Sequence, residues 1–158
     1  MPEIAAPLVR IQLLGPLLVE HASGRQGTFR YEKLKALLAY LSSQPDQSHP
    51  RAQLAELLWP GGTSEAALNN LRRALFDLRQ VFDALGVSCP LHADRRVVRW
   101  LGSPEVHVQH PGKADPACQA LFLADLRVDD SPAWQRWLQE QRERVRLNRL
   151  AQLDDEVQ

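Results

Sequence analysis

The stretch SEAALNNLRRALFDLRQVFDAL, residues 64–85, decides how the rest of the chain is read. Leu68, Leu71, Leu75, Leu78, Phe82 and Leu85 recur at steps of three and four. A helix gathers such residues into one apolar stripe. The opposite side carries Asn69, Arg73, Asp77 and Gln80, flanked by Asn70, Arg72 and Arg79. A surface helix built only for solubility is dominated by Glu and Lys. This one offers Asn, Gln and Arg, whose amide and guanidinium groups make paired hydrogen bonds to base edges and phosphates. Upstream, RAQLAELLW over 51–59 is a shorter helical pattern, and Pro60, Gly61 and Gly62 separate the two. Helix, short Gly-containing turn and longer polar-basic helix make the pattern of a helix-turn-helix.

Working outward, residues 8–14 (LVRIQLL) alternate Val9, Ile11 and Leu13 against Arg10 and Gln12, the pattern of a half-buried strand. Gly15-Pro16 breaks it and Leu17 to Glu20 resumes it. After a turn at Ser23, Gly24 and Gly27, Thr28 to Arg30 offers a third strand, so a small antiparallel sheet is predicted. A helix follows from about Tyr31 to Leu41, with Leu34, Leu37, Leu38 and Leu41 on its apolar face. Pro50 suits the start of the next helix, where a missing N–H costs nothing. Thr63 or Ser64 suits the cap of the third, and Gly86 its end. Residues 91–101 (LHADRRVVRWL) read as a hairpin, with Val98 and Trp100 on one side, Arg99 on the other and Ala93 to Arg96 at the tip. A hairpin directly after a recognition-type helix is the wing of a winged helix.

Residues 103–120 hold Ser103, Pro104, Pro111 and Gly112 and read as a linker with a short strand at Val106 to Val108. The last segment opens with Ser131 as a cap and Pro132 at the first helical position. It continues as a long charged helix with Trp134, Trp137, Leu138, Val145, Leu150 and Leu153 as its apolar positions. Two units are predicted: residues 1–102, an α+β winged helix-turn-helix, and residues 103–158, a linker with the first helices of an incomplete helical domain.

The chain of 158 residues is 44 % hydrophobic and 24 % charged, ordinary values for a soluble globular protein. No stretch approaches the roughly 18 apolar residues of a membrane span. The N-terminal MPEIAAPLVRIQLL lacks the basic start and apolar core of a signal peptide, so a cytoplasmic protein with no membrane partner is expected. Cys89 and Cys118 follow no CxxC spacing and read as free thiols. The zero net charge hides a balance of +3 over residues 1–100 and −3 over 101–158. That permits a local DNA-binding patch without demanding one.

The order of pieces resembles the DNA-binding domain of the antibiotic regulatory protein branch of the OmpR-like transcription factors. The pieces are ALLAYL (36–41), LAELLWP (54–60), AxxNLRxALxxLR (67–79) and the following hairpin. The tail LFLADLRVDDSPAWQRWLQEQRERVRLNRL resembles the opening of the bacterial transcriptional activation domain that follows it in that family. The resemblance covers nearly the whole chain. It implies binding to double-stranded DNA at direct repeats as a head-to-tail pair, and recruitment of RNA polymerase. The start of the first helix, Tyr31 to Lys35, is less basic than the family pattern. The activation domain there continues through several helix pairs, so a last helix without them would leave Trp134, Trp137 and several leucines partly exposed, open to self-association.

Expected DNA contacts divide by reach. Asn69, Asn70, Arg73 and Asp77 suit base edges. Arg72, Arg79 and Gln80 suit phosphates or the protein's own helices. Asp77 would accept from cytosine or orient Arg73; an internal pair with Arg72 or Arg73 is the alternative. Lys33, Lys35 and Arg51 lie near helix starts and suit the DNA backbone, with plain solvated charge as the alternative. Arg95 and Arg96 at the hairpin tip suit phosphate or the minor groove. Trp59 and Trp100 read as core anchors. Phe76 lies towards the outer face, suited to packing on the wing or to a thymine methyl. No GxxxxGK, HExxH or GxSxG is present, and His107, His110 and Cys118 match no zinc spacing, so neither an enzyme nor a cofactor is expected. The other class is a protein-interaction module whose helical tail docks a partner while DNA contact is minor.

Overall fold

In the computed structural model, which describes residues 7–109 and 120–157, the decisive stretch is helix α3, Ser64–Ala84. Both ends are chemically closed. Thr63 Oγ1 accepts from the Ala66 amide at 3.1 Å, taking up one of the orphan donors of the first turn. At the other end Gly86 adopts φ +77°. Its amide donates to Asp83 O, and the Val87 amide donates to Phe82 O. This is the paired Schellman closure, which needs a left-handed residue that glycine supplies without strain.

The buried face of α3 is rotated from the predicted stripe. Leu71, Leu75, Leu78 and Phe82 are buried as expected, but Leu68 is 37 % exposed, while Ala67, Ala74 and Val81 are buried. Helix α2, Arg51–Leu58, packs closely on α3. Small side chains such as Ala55, Ala67 and Ala74 allow such close approach, whereas the periodicity weighed only the large residues. Between the two helices the chain turns through Gly61 at φ +91°. Helix α1, Glu32–Ser42, starts one residue later than predicted, with Tyr31 as its N-cap.

The three-stranded sheet at the N-terminus is a different one from that predicted. Strands β1 (Val9–Gln12) and β2 (Leu18–His21) pair antiparallel, but the third strand is not Thr28 to Arg30. It is the Val106–Val108 strand, β6, which runs parallel to β1 and gives the order β2-β1-β6. The 26–30 stretch makes a single bridge, Glu20 to Gln26, and then leaves the sheet. At Gly27 a Cβ would stand 2.9 Å from Val81 Cγ1 and 3.3 Å from Val19 Cβ. The backbone there is packed against α3, which takes it off the sheet edge.

A second sheet holds the hairpin. Strands β4 (Leu91–Ala93) and β5 (Val97–Trp100) pair antiparallel, and a strand not predicted, β3 (Ser48–Pro50), pairs with the other edge of β5. As predicted, Val98 and Trp100 turn inward, and Trp100 meets Phe82 of α3 with ring centroids 6.0 Å apart.

Helix α4, Pro132–Val157, packs its tryptophans against the rest of the chain to different depths. Trp134 is 0 % exposed, and Trp137 is half-buried between Tyr40 of α1 (4.9 Å) and Phe122 (6.0 Å). Ser131 caps α4 by accepting from the Trp134 amide, and its own hydroxyl donates to Leu57 O of α2 at 2.6 Å. Arg142 Nε and Nη2 donate to the carbonyls of Phe122 and Leu123, and the Leu123 amide donates to Leu13 O. The expectation of partial exposure fails for Trp134, which is fully covered, and holds for Trp137 and two leucines; the cover comes in part from Tyr40, far upstream in sequence. Among the described residues the exposed leucines of α4 are Leu147 (53 %) and Leu150 (47 %). The expected linker residues Pro111 and Gly112, together with His110 and Cys118, lie outside the described residues. The architecture is mixed α+β, with four helices and two small sheets among the described residues, and no helix among them is long and apolar enough to cross a membrane.

Candidate nucleic-acid interface

Helix α3 rises about 1.5 Å per residue, so its 21 residues extend roughly 32 Å. Along the face turned from the core stand Asn69, Asn70, Arg72, Arg73, Arg79 and Gln80, all exposed. Among the described residues no ion pair engages Arg72, Arg73 or Arg79. Six hydrogen-bonding side chains, three of them cationic, thus share one solvent-facing surface of a rigid element.

Asp77 is held differently from either alternative. Its Oδ2 accepts from Tyr31 Oη at 2.9 Å, and no ion pair joins it to Arg72 or Arg73 among the described residues. Burial, the bond to Asp77 and its negative charge together push the Tyr31 hydroxyl up to about 12, so it stays a donor at neutral pH. The bond ties the start of α1 to the middle of α3. Phe76 is 61 % exposed. It borders a cleft of about 690 Å³ with Arg25, Thr28, Arg30 and Gln80 rather than packing on the hairpin.

Three of the expected backbone contacts are engaged within the chain. Lys33 Nζ pairs with Asp130 Oδ2 at 2.7 Å and lies 5.9 Å from the Trp59 ring. That contact holds the Asp130 carboxyl below its ordinary range. Lys35 pairs with Glu32 at 3.6 Å. Arg51 Nε donates to Asp94 O at 2.6 Å and its amide donates to Arg96 O, so this residue fastens the hairpin to α2. At the tip, Asp94 Oδ1 accepts from the amides of Arg96 and Val97, an Asx turn that lowers its carboxyl pKa. The side chains of Arg95 and Arg96 are left exposed.

Two contributors escaped the sequence reading. Arg25 donates to the carbonyls of Ala84 and Leu85, closing the end of α3 from a loop about 60 residues away in sequence. Nothing local marks such a residue; only its charge beside a helix C-terminus gives it meaning. Asp130, which occupies Lys33, sits in an acidic DD pair just before α4, and the sequence reading gave it no role. Cys89 is half-buried, and burial pushes its thiol up to about 12, which disfavours the thiolate. Among the described residues no group of three or more His, Cys, Asp or Glu is placed to hold a metal ion.

Comparison with known proteins gives a likeness of fold. No family model matches the chain, and no curated protein matches it in sequence. A solved structure does: Mycobacterium tuberculosis EmbR in complex with a low affinity phosphopeptide. The TM-score is 0.65 at 18 % sequence identity, over 89 % of this chain and 43 % of the EmbR chain. The chain therefore shares the fold of rather less than half of EmbR.

Proposed function

We propose that this chain is a sequence-specific, DNA-binding transcriptional regulator of the winged helix-turn-helix type, acting in the cytoplasm. In this reading α3 enters a major groove and the β4–β5 hairpin is the wing. The observation that carries it is the outer face of α3, where Asn69, Asn70, Arg72, Arg73, Arg79 and Gln80 are exposed around Phe76 and, among the described residues, no ion pair engages the three arginines. The sequence resemblance to the antibiotic regulatory proteins points the same way.

Roles follow from chemistry. Asn69, Asn70 and Arg73 read base edges through paired hydrogen bonds. Arg72, Arg79 and Gln80 hold phosphates, and Arg95 and Arg96 reach phosphate or the neighbouring minor groove. Asp77 acts through Tyr31, fixing how α3 sits on α1. Arg51 serves the wing by holding its tip. Lys33 and Lys35 grip the DNA backbone only after exchanging Asp130 and Glu32 for phosphate. Residues 1–102 supply the DNA contacts. Residues 103–158 present a helical surface to RNA polymerase or to a second copy on the DNA.

The test is selection of duplexes by the full chain from a random pool, sequenced at two salt concentrations. An enriched motif, repeated at a fixed spacing, supports the reading. Binding without enrichment that vanishes as salt rises is plain counterion release and overturns it. The module reading then takes its place, with Leu147 and Leu150 of α4 as the exposed apolar points for a partner.

A further inference from the structure

We propose that Phe76 is a specificity residue that packs its ring on the C5-methyl group of a thymine in the major groove, within two base pairs of the base read by Arg73. This rests on the regulator reading and names what one more residue of that surface recognises.

Three observations carry it. The first is place. Asn69, Arg73, Phe76 and Gln80 stand four, three and four residues apart on α3, so they form one row along the helix. The row lies opposite the core side, where Leu71, Leu75, Leu78 and Phe82 are buried. Phe76 thus stands inside a row of hydrogen-bonding side chains, about 4.5 Å along the axis from Arg73. Successive bases of a strand are roughly 3.4 Å apart, which puts the two contacts on the same or neighbouring base pairs. The second is exposure. Phe76 is 61 % exposed, more than any other large hydrophobic residue described. Phenylalanine is among the side chains most often buried, so a ring left open at the middle of a polar row is free for an outside partner. The third is charge. From Asn69 to Gln80 the helix carries three arginines against one carboxylate, Asp77, which accepts from Tyr31. Arg30 lines the cleft beside the ring and has no ion pair among the described residues. A cationic surround suits a polyanion, whereas an apolar protein face would strip water from these arginines and return nothing.

The chemistry of the groove then selects the contact. A ring on a rigid helix meets base edges there, not base faces. In unmodified DNA those edges present donors, acceptors and one apolar group, the thymine methyl. Adenine, guanine or cytosine beneath the ring would lose water from polar groups without replacement. Thymine presents carbon to carbon. Asn69, Arg73 and Gln80 supply the paired hydrogen bonds around it, so the ring adds a choice of base that those side chains do not make.

The test uses the duplex that the full chain enriches from the random pool. Each thymine of its motif is replaced in turn by uracil, which removes the methyl and keeps every hydrogen-bonding group. Affinity is read by fluorescence anisotropy. At one thymine, within two base pairs of the position relaxed by Arg73→Ala, uracil should weaken binding about fourfold, the worth of one buried methyl group. There, 5-methylcytosine should bind better than cytosine by a similar factor, because that pair too differs only in the methyl. Phe76→Ala should bind the thymine duplex about tenfold more weakly and no longer distinguish it from the uracil duplex. Phe76→Leu keeps an apolar contact and should keep the distinction. Phe76 is exposed, so circular dichroism melts of both variants should match that of the unmodified chain. The inference is overturned if no thymine of the motif responds to uracil. It is equally overturned if Phe76→Ala still responds as the unmodified chain does, since another residue then reads the methyl. Either result on an enriched motif leaves the regulator reading standing; a pool without enrichment overturns both.

Discussion

Arg73 stands on the outer face of α3 with no ion pair among the described residues, and what it touches decides its role. If it reads a base, Arg73→Ala should cost about 1–3 kcal/mol on the selected duplex and relax one position of the motif. Competition binding against single-base variants checks this; an equal loss on every sequence would make Arg73 a phosphate contact. His49 gives a prediction about pH. Its folded pKa lies below the ordinary 6.5 because burial disfavours the charged ring. The unfolded chain therefore takes up the proton first. The stability contribution is complete above about pH 6.5 and declines as the pH falls towards the folded value. Thermal melts between pH 7.5 and 5.5 should show this decline, and His49→Phe should flatten that part of it. Residue chemistry was partly legible. Asn69, Asn70, Arg72, Arg73, Arg79 and Gln80 follow from helical phase alone and are exposed as predicted. The partners of Asp77, Lys33 and Arg51 were not legible, because Tyr31, Asp130 and Asp94 are brought to them by tertiary contact over tens of residues.

At the scale of elements, the hairpin tip is shaped by Asp94, while Arg95 and Arg96 stay free of the turn itself. The doubly substituted chain Arg95→Ala with Arg96→Ala should therefore keep its fold. Each phosphate contact it loses should reduce the slope of log K against log salt by about 0.9. Affinities at four or more salt concentrations measure that slope, and an unchanged slope removes the hairpin from the DNA surface. Elements with strong periodicity or clear caps were predicted within a residue or two: α1, the end of α3 at Gly86, and the start of α4 at Ser131 and Pro132. The β-structure was less legible. Strand β3 is three residues long and β6 finds a parallel partner almost a hundred residues upstream. Neither pairing leaves a mark in local alternation, because a short strand is specified by the edge that receives it.

For the whole molecule, α4 is joined to α1 and α2 through Trp134, Trp137, Tyr40 and the Ser131–Leu57 bond. Trp134→Ala should cost about 3–5 kcal/mol of unfolding free energy, the usual loss for truncating a buried tryptophan. Urea denaturation followed by circular dichroism tests this; a loss under 1 kcal/mol would mean that α4 adds little to the core. By itself the sequence determined the helices, their exposed polar face, the turn between α2 and α3, and the arginine-tipped hairpin. All of these depend on neighbours three or four residues apart, or on backbone conformations that Gly, Pro and capping side chains enforce locally. Only the tertiary structure decided that β6 completes the first sheet, that Lys33 is held by Asp130, and that Trp134 of α4 is covered. Those outcomes depend on which surfaces meet. Burial rewards apolar area from any part of the chain, so composition shows that Trp134 must be covered but not by what.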